Sequence, residues 1–408
     1  MLDHLPQDYD ATRYRHWINV HGAGDANTSG GTKYCNGIEA NGTNAANYTN
    51  GTGNGTDGIN STNGSFTSSN RSEDCFTIMT YNLLSQHYIW NQVYGYLDQN
   101  FLSWSDYRFP LINKTISQFQ CDIMCFQEME CSVYNSYWSV GFPSPNYSSF
   151  YMKKSLPKYW ADRPNEHIDG VGIFINTNRF TVLDKTMVNI GEYVKNRPQQ
   201  YTMTNDMVTR LVSRNTVAIV LKLYDFISHR YVYVATTHLY WSPQFNDVKV
   251  LQTKILLNIL EEFIDVPDPH IILMGDLNSN YQSTVFKLLD SDGADYHSIN
   301  LSDYPEFDGL DYGRGNSLVT ETNHIHNQFH LYNIFEEMSR EKKMSFTSYT
   351  RSLTDVLDHM FINKDKFKIM RVLSGVDTNY CSDEKVLGFP NKQFPSDHIP
   401  LVAELCYI

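Results

Sequence analysis

Residues His270–Asn280, HIILMGDLNSN, contain the clearest structural signal in the sequence. The apolar residues 271–274 predict a strand that is buried on both faces and ends at Gly275. Asp276 and Asn278 follow two residues apart, and in an extended chain this spacing places both side chains on one face. A carboxylate and a carboxamide at a strand exit could hold a metal-bound water and a phosphate oxygen. The same two residues could equally cap an Asx-rich turn.

The composition is typical of a globular protein with a substantial core. The chain has 408 residues, of which 41% are hydrophobic and 14% aromatic, and its formal net charge is −13. This acidic balance argues against a generally basic nucleic-acid-binding surface. A phosphate substrate would therefore have to be bound locally, by a metal ion and a few nearby donors.

Cysteine spacing and hydropathy favour a cytoplasmic or nuclear protein. The seven cysteines match neither a zinc pattern nor a disulfide framework, which favours a reducing compartment. The N-terminal residues lack the apolar run of a signal peptide. No apolar run approaches the roughly 18 residues of a membrane span, so we expect no membrane association.

Two regions of different composition divide the chain. Residues 1–73 are predicted to be a largely disordered arm, because Gly, Asn, Thr and Ser dominate residues 20–70 and leave little apolar surface to bury. Two alternatives stay open for residues 1–19, which contain Tyr14, Trp17 and Ile18: they could pack on the domain as a short arm, or not. Residues 74–408 are predicted to form one folded domain.

Hydrophobic periodicity predicts an α/β (α+β) fold. Strands are predicted at 75–84, 121–130, 170–177, 217–225, 231–239, 270–276, 356–363 and 394–408. Helices are predicted at 105–119, 247–263 and 329–338, with an amphipathic second helix and a mostly irregular segment at 291–315. Only 238–276 forms a clear strand–long helix–strand unit. We therefore expect a two-layer β-sandwich flanked by helices.

Polar residues recur where the predicted strands end. They are Asn82, Glu128, Asp169, His238, Asp276, Asn278, Asp358, Asp397 and His398. Each has an ordinary explanation as a cap, a turn residue or a surface charge, but strand ends converge at one rim of a sheet. Oxygen ligands suit Mg²⁺ or Mn²⁺ rather than zinc, and histidines can donate to a phosphate oxygen.

The order Y-N-L-L, Q-E, D-G, T-H-L, G-D-x-N-S, L-D-x-x-F and S-D-H resembles the endonuclease/exonuclease/phosphatase superfamily of Mg²⁺-dependent phosphodiesterases. The pair Trp104 and Arg108 and the stretch TTHLYWSPQFNDVKVLQT resemble its nocturnin, Angel and carbon-catabolite-repression deadenylase branch, including fungal Ngl-like RNA exonucleases. The resemblance runs from about Cys75 to the C-terminus, so residues 74–408 would be the catalytic domain.

The resemblance implies a role for each of the metal-site and reaction residues. Glu128 would bind the catalytic Mg²⁺, with Mn²⁺ as a substitute and Asn82 beside it, and Asp397 could assist a second ion. The remaining residues would act on the water and the phosphate. Asp276 would activate or orient the attacking water, and Asn278 would hold that water or a phosphate oxygen. His398, oriented by Asp358, would donate to a non-bridging oxygen, and His238 would contact the scissile phosphate.

Substrate binding is expected from Arg108, Asp169, Asn215, Pro243 and Leu353. Asp169 could instead begin an Asp-Gly turn, and Asn215 could cap a strand turn. Deadenylases of this branch are thought to hold the terminal base between the proline and an aromatic residue, and that aromatic position falls on Leu353 here. The loss of an aromatic ring weakens base stacking, so a strict poly(A) preference is in doubt.

The implied function is a 3′-5′ exoribonuclease that releases nucleoside 5′-monophosphates from single-stranded RNA 3′ ends, in poly(A) shortening or RNA 3′-end processing. The alternative is a metal-dependent phosphatase acting on RNA ends or on a small nucleotide or phosphate ester. A binding module on this fold would be expected to lack part of the site. Leucine-rich repeats for docking into a deadenylase complex are absent from the sequence, and we expect a monomer.

Overall fold

The computed structural model describes residue 6 and residues 8–20, 74–157, 160, 163–290, 297–341 and 343–408. The strands are β1 (Trp17–Asn19), β2 (Cys75–Asn82), β3 (Ile123–Glu130), β4 (Tyr147–Lys153), β5 (Asp169–Asn176), β6 (Phe180–Asn189), β7 (Val217–Asp225), β8 (Arg230–His238), β9 (His270–Asp276), β10 (His297–Asn300), β11 (His324–Asn327), β12 (Leu331–Asn333), β13 (Ser348–Tyr349), β14 (Thr354–Asp355), β15 (Asp358–Asn363), β16 (Phe367–Leu373) and β17 (Leu401–Tyr407). The α-helices are α1 (Asn91–Tyr94), α2 (Phe109–Phe119), α3 (Cys131–Val133), α4 (Ile190–Lys195), α5 (Asn246–Phe263), α6 (Thr284–Leu289), α7 (Glu336–Arg340) and α8 (Thr378–Asp383).

Two mixed sheets pack face to face. The first has the strand order β1-β16-β17-β2-β3-β5-β4, and the second has the order β12-β15-β9-β8-β7-β6. Apolar side chains of both sheets, among them Ile78, Ile219 and Ile272, form one shared core. The predicted α/β class and the predicted two-layer sandwich are confirmed.

Helices cover the outer faces of both sheets. Ile112 and Ile116 of α2 pack on the first sheet, and α5 packs on the second. The predicted second helix is confirmed and its predicted apolar side is buried, but most of its other side is buried as well. Even Gln252 and Lys254 are buried in α5. Gln252 donates to Thr216 Oγ1 and accepts from the Tyr240 N–H beside the second sheet, and apolar residues between 299 and 325 share the core of α5.

Two segments downstream of β9 differ from the prediction. Residues 291–315 were expected to be mostly irregular, and their described part contains one short strand, β10, which pairs with β11 in a two-stranded sheet. Residues 291–296 lie outside the described part of the chain. The helix predicted at 329–338 is replaced by β12, which adds to the edge of the second sheet, and by the short α7. Apolar residues at mixed spacing fit either structure, and pairing with β15 decides for a strand.

Part of the N-terminal region is described by the structure. Residues 8–20 pack on the folded domain, and β1 pairs antiparallel with β16 at the edge of the first sheet. Of the two alternatives left open for residues 1–19, packing on the domain is the one that the described residues 8–20 follow. The domain boundary at residue 74 stays a prediction. The predicted disorder concerns residues 21–73, which lie outside the described residues.

A disulfide joins Cys75 at the start of β2 to Cys406 near the end of β17. The two cysteines are direct partners in the antiparallel register of these strands. The sequence analysis did not predict this pair, because 331 residues separate its members. Among the described residues, no helix has both the length and the apolar character needed to span a bilayer.

Candidate active site

Strand register brings three predicted site residues together in the second sheet. His238 ends β8 and is the direct partner of Asp276 in the parallel pairing of β8 and β9. Asp358 begins β15 and is the partner of Asp276 in the antiparallel pairing of β9 and β15. Directly opposed residues on neighbouring strands point to the same face of a sheet. All three side chains are buried.

The first sheet contributes Asn82 and Glu128. Asn82 ends β2, and Glu128 lies at an irregularity of β3 where its φ is +55°. Such a bulge redirects a side chain at the rim of a sheet. Nδ2 of Asn82 donates to Oε1 of Glu128 at 3.1 Å and to Oδ2 of Asp276 at 2.8 Å. Asn82 therefore connects the acidic groups of the two sheets.

His398 is paired with Asp358. Its Nδ1 lies 2.6 Å from Oδ2 of Asp358, and its Nε2 lies 3.8 Å from Oδ2 of Asp276. Burial alone would lower the pKa of His398, but the Asp358 and Asp397 carboxylates raise it well above its usual value. The structure therefore favours a charged imidazolium that can donate from Nε2.

His238 and Asn278 form a second pair beside Asp276. The backbone N–H of Asn278 donates to Oδ1 of Asp276 at 2.8 Å, and its Nδ2 donates to Nε2 of His238 at 2.9 Å and to Leu239 O at 3.0 Å. Burial, together with the charges of Lys154 and His398, holds the pKa of His238 well below its usual value. His238 is therefore neutral here, in contrast to His398.

Buried carboxylates make the centre of the site strongly acidic. Burial, with the nearby charges of Asp397 and Asp169, raises the pKa of Glu128 to about 7. Burial and the charge of Asp358 raise the pKa of Asp276 to about 6. Like charges held together in this way are relieved by a bound cation.

The donor set fits a hard divalent ion. Carboxylate oxygens of Asp276 and Asp358 lie within 4.8 Å of each other and of a ring nitrogen of His398. Among the described residues, Oδ1 of Asp358 and Oδ1 of Asp397 are buried and accept no hydrogen bond. Carboxylate oxygens of this kind suit Mg²⁺ or Mn²⁺.

Several residues of the site were missed by the sequence analysis. The Ser85 N–H donates to Oε2 of Glu128 at 2.9 Å, and Tyr94 OH donates to Oδ2 of Asp397 at 2.7 Å. Lys249 Nζ donates to Asn278 O at 2.8 Å. Ser85 could have been found from its position just after Asn82, whereas Tyr94 and Lys249 come from helices and give no strand-end signal.

Asp169 lies at the edge of the site. It begins β5, pairs with Lys154 Nζ at 2.6 Å and accepts a hydrogen bond from Tyr88 OH at 3.0 Å. Asn215 lies farther out, where its Nδ2 donates to Ser155 O at 3.1 Å. Lys154 was not predicted, and it places a buried positive charge next to an otherwise acidic centre.

The predicted base-binding residues lie on exposed loops. Pro243 begins a short 3₁₀ helix and is exposed, and Leu353 is 47% exposed in the turn before β14. Trp241 lies in the loop after His238 and is 66% exposed. The Leu239 O contact with Asn278 ties this loop to the site.

The predicted substrate contact of Arg108 is wrong. Its side chain is fully buried and donates to Pro395 O at 2.7 Å, to Leu83 O and Leu84 O, and to Gln86 Oε1. The guanidinium therefore holds backbone segments of the site in place instead of reaching a substrate.

The family follows from comparison with known proteins. Residues 79–398 match the Endonuclease/Exonuclease/phosphatase family, and they include every predicted site residue. The chain belongs to this family.

Its relatives include Ccr4 proteins. The "CCR4-Not complex 3′-5′-exoribonuclease subunit Ccr4" of Candida glabrata is 32% identical over 346 residues, which cover 82% of this chain and 37% of the relative. The protein of the same name from Saccharomyces cerevisiae is 31% identical over 341 residues, or 80% of this chain and 38% of the relative. The chain therefore spans less than half the length of these curated relatives.

Solved structures show the same fold. ANGEL2, described as a 2′,3′-cyclic phosphatase, matches with a TM-score of 0.65 at 22% identity over 81% of this chain and 95% of that one. The human Nocturnin catalytic domain matches with a TM-score of 0.53 at 19% identity over 82% and 94%. The predicted superfamily is confirmed by the family match, and the similarity to Ccr4 proteins agrees with the predicted branch.

Proposed function

We propose that the chain is a metal-dependent 3′-5′ exoribonuclease that hydrolyses RNA phosphodiester bonds and releases nucleoside 5′-monophosphates. The observation that carries this proposal is that polar side chains from three parts of the fold meet at one site. They are Asn82 and Glu128 of the first sheet, Asp276 and Asp358 of the second sheet, and His398 of the segment before β17. The similarity to Ccr4 exoribonucleases supports RNA as the substrate. Residues 74–408 would form the catalytic domain, extended by residues 8–20.

Glu128 and Asn82 would hold the catalytic metal ion, and Asp397 would assist a second. Mg²⁺ is the expected ion, and Mn²⁺ could replace it. A divalent ion at such a site neutralises charge on the phosphate oxygens and on the leaving oxygen. The raised pKa of Glu128 and the unpartnered Oδ1 of Asp397 support this assignment.

The remaining side chains would orient the reactants. Asp276 would accept a proton from the attacking water or orient it, and Asn278 would hold that water or a phosphate oxygen. His398, kept cationic by Asp358, would donate from Nε2 to a non-bridging oxygen, where negative charge develops in the transition state. His238 would contact the scissile phosphate as a neutral group.

The rim of the site would bind the last nucleotides of a single-stranded RNA 3′ end. Asp169, Asn215, Pro243 and Leu353 would line the path of the strand. Stacking of one base on an aromatic ring is worth roughly 1–3 kcal/mol, and Leu353 offers no ring. A general 3′-end trimming activity therefore fits the rim as well as poly(A) shortening does.

We further propose that the enzyme acts as a monomer in the cytoplasm or the nucleus, with RNA 3′ ends as its main partner.

A second candidate function is a metal-dependent phosphatase acting on RNA ends or on a small phosphate ester. The observation that favours it is the leucine at position 353, because a small ester requires no base stacking. The same metal site and the same phosphate donors would serve either reaction.

A time course on 5′-labelled RNAs with oligo(A), oligo(U) and mixed 3′ tails tests the proposal. In Mg²⁺ we expect a ladder that shortens from the 3′ end, and we expect Glu128→Gln to abolish it, whereas the surface variant Glu341→Gln retains it. Release of inorganic phosphate without shortening would refute the exonuclease and support the phosphatase.

A further inference from the structure

A buried arginine holds each end of the segment Pro395–Pro400, which contains His398. Arg108 Nε donates to Pro395 O at 2.7 Å, and Arg15 Nη1 donates to Pro400 O at 2.8 Å. Both side chains are buried. Two rigid, planar donors therefore fix the backbone on either side of the histidine.

Arg15 comes from the N-terminal region, far away in the sequence. Its Nε also donates to Ser374 O at 2.8 Å, so one guanidinium ties the end of β16 to the start of β17. Tyr14 stacks on Tyr380 with 3.9 Å between ring centroids, and the Ser374 N–H donates to His16 O at 2.8 Å. These contacts hold Tyr14, Arg15 and His16 against the end of β16 and the helix α8.

The segment has little freedom between its two arginines. Ser396 Oγ donates to Asn82 O at 2.7 Å and accepts from the His398 N–H at 3.2 Å, and the Ile399 N–H donates to Thr347 O at 2.8 Å. A shift of the backbone at Pro400 would therefore be transmitted to His398, only two residues away.

Burying the charged side chain of Arg15 at this place in the core costs free energy. Burial lowers its pKa to about 9, and among the described residues its Nη2 has no hydrogen-bond partner. A buried charge that is only partly compensated contributes little stability compared with an apolar side chain of similar size. The presence of an arginine at this position is explained more directly by the two backbone carbonyls that its guanidinium holds in place, Ser374 O and Pro400 O.

We infer that Arg15 is a positioning residue for His398, and that the N-terminal segment 8–20 acts as a brace for the active site. This inference rests on the proposed function of His398. Arg15 touches no reacting group in this arrangement, and it acts through the Pro400 carbonyl and the backbone between Pro400 and His398.

Kinetics of full-length variants test the inference. Arg15→Gln should lower kcat for RNA shortening by about tenfold or more and leave KM within about twofold, because a displaced catalytic group slows the reaction more than it weakens binding. Arg15→Lys, which can reach only one of the two carbonyls, should be intermediate. Arg13→Gln is the matched control, since Arg13 is an exposed arginine of the same segment that pairs with Asp8.

All assays are run well below the melting temperature of each variant, so that loss of folded protein does not contribute. An unchanged kcat in Arg15→Gln, with only a lowered Tm, would overturn the inference and leave Arg15 a purely structural residue. If the wild-type protein shortens RNA normally, that result leaves the proposed function intact.

A measurement without turnover separates the two proposals. The proton between His398 and Asp358 should give a strongly downfield NMR signal because the donor and acceptor are only 2.6 Å apart, and His398→Gln assigns it by its loss. We expect Arg15→Gln to shift or broaden this signal and Arg13→Gln to leave it unchanged. A signal unchanged in Arg15→Gln refutes the positioning role even if the wild-type protein has no exonuclease activity.

Discussion

Nδ1 of His398 lies 2.6 Å from Oδ2 of Asp358, and both side chains are buried. This contact joins the segment before β17 to the first residue of β15, so it links the two sheets across the active site. Asp358→Asn should leave the fold intact but remove the charge that favours the imidazolium form of His398. We expect kcat to fall about 10²-fold or more, by analogy with the loss of a transition-state donor. Steady-state kinetics with Asp365→Asn, in the turn that follows the same strand, provides the control.

Glu128 should make the stability of the metal-free protein depend on pH. The folded state raises its pKa from 4.5 to about 7, so between these values the unfolded state binds fewer protons than the folded state. The free energy of unfolding should therefore fall as pH rises from about 4.5 to 7 and then level off, by at most about 3 kcal/mol from this group. Urea titrations in chelator, compared with Glu128→Gln, isolate the effect. A pH-independent difference between the two proteins would contradict it.

Trp241 should contribute to RNA binding and not to the chemical step. An exposed aromatic ring on a loop tied to the site can stack on a base, which is worth roughly 1–3 kcal/mol. Trp241→Ala should raise KM for RNA by about fivefold or more and leave the hydrolysis of a small phosphodiester unchanged, whereas Trp241→Phe should retain most of the affinity. Tyr137→Ala removes a similarly exposed ring (61%) and serves as the control.

Leu353→Phe should increase the preference for adenine tails. The side chain is already 47% exposed, so a larger ring can be accommodated without repacking the core. A new stacking surface should lower KM for oligo(A) about fivefold or more and change KM for oligo(U) less. Equal rates for both tails in the variant would show that position 353 does not contact the terminal base.

Arg108→Met should destabilise the protein instead of selectively weakening RNA binding. The change leaves the carbonyls of Pro395, Leu83 and Leu84 without their donor in a buried region. Leaving several buried acceptors unpaired should cost about 3 kcal/mol or more. Chemical denaturation measures this loss, and an unchanged midpoint together with weaker RNA binding would restore the predicted substrate contact.

Much of the sandwich could be predicted because its central strands are continuous apolar runs that end in polar residues. His238, Asp276 and Asp358 come together for this reason, since each is the first or the last residue of a strand whose neighbours were also recognisable. The sequence motifs predict this part of the site because the ends of strands are local features of the chain.

Other parts depend on contacts that no local pattern reveals. The bulge that redirects Glu128 arises from the register of β3 with β5, and the burial of α5 depends on a later segment that covers it. Lys154 lies in the site because it follows β4 directly and pairs with Asp169, the first residue of the neighbouring strand β5. Arg108 gave the correct motif but the wrong role, because sequence does not show whether a guanidinium points toward substrate or toward backbone carbonyls.

The Cys75–Cys406 disulfide turns the backbone between these residues into a closed covalent ring. One proteolytic cut within the ring opens it without dividing the molecule, and the fragments separate only after reduction. Residues 8–20, including Arg15, lie outside the ring and are joined to it through residues 21–73. A single cut in that connection would leave residues 8–20, which brace His398, attached to the domain by non-covalent contacts alone, while the ring itself stays closed.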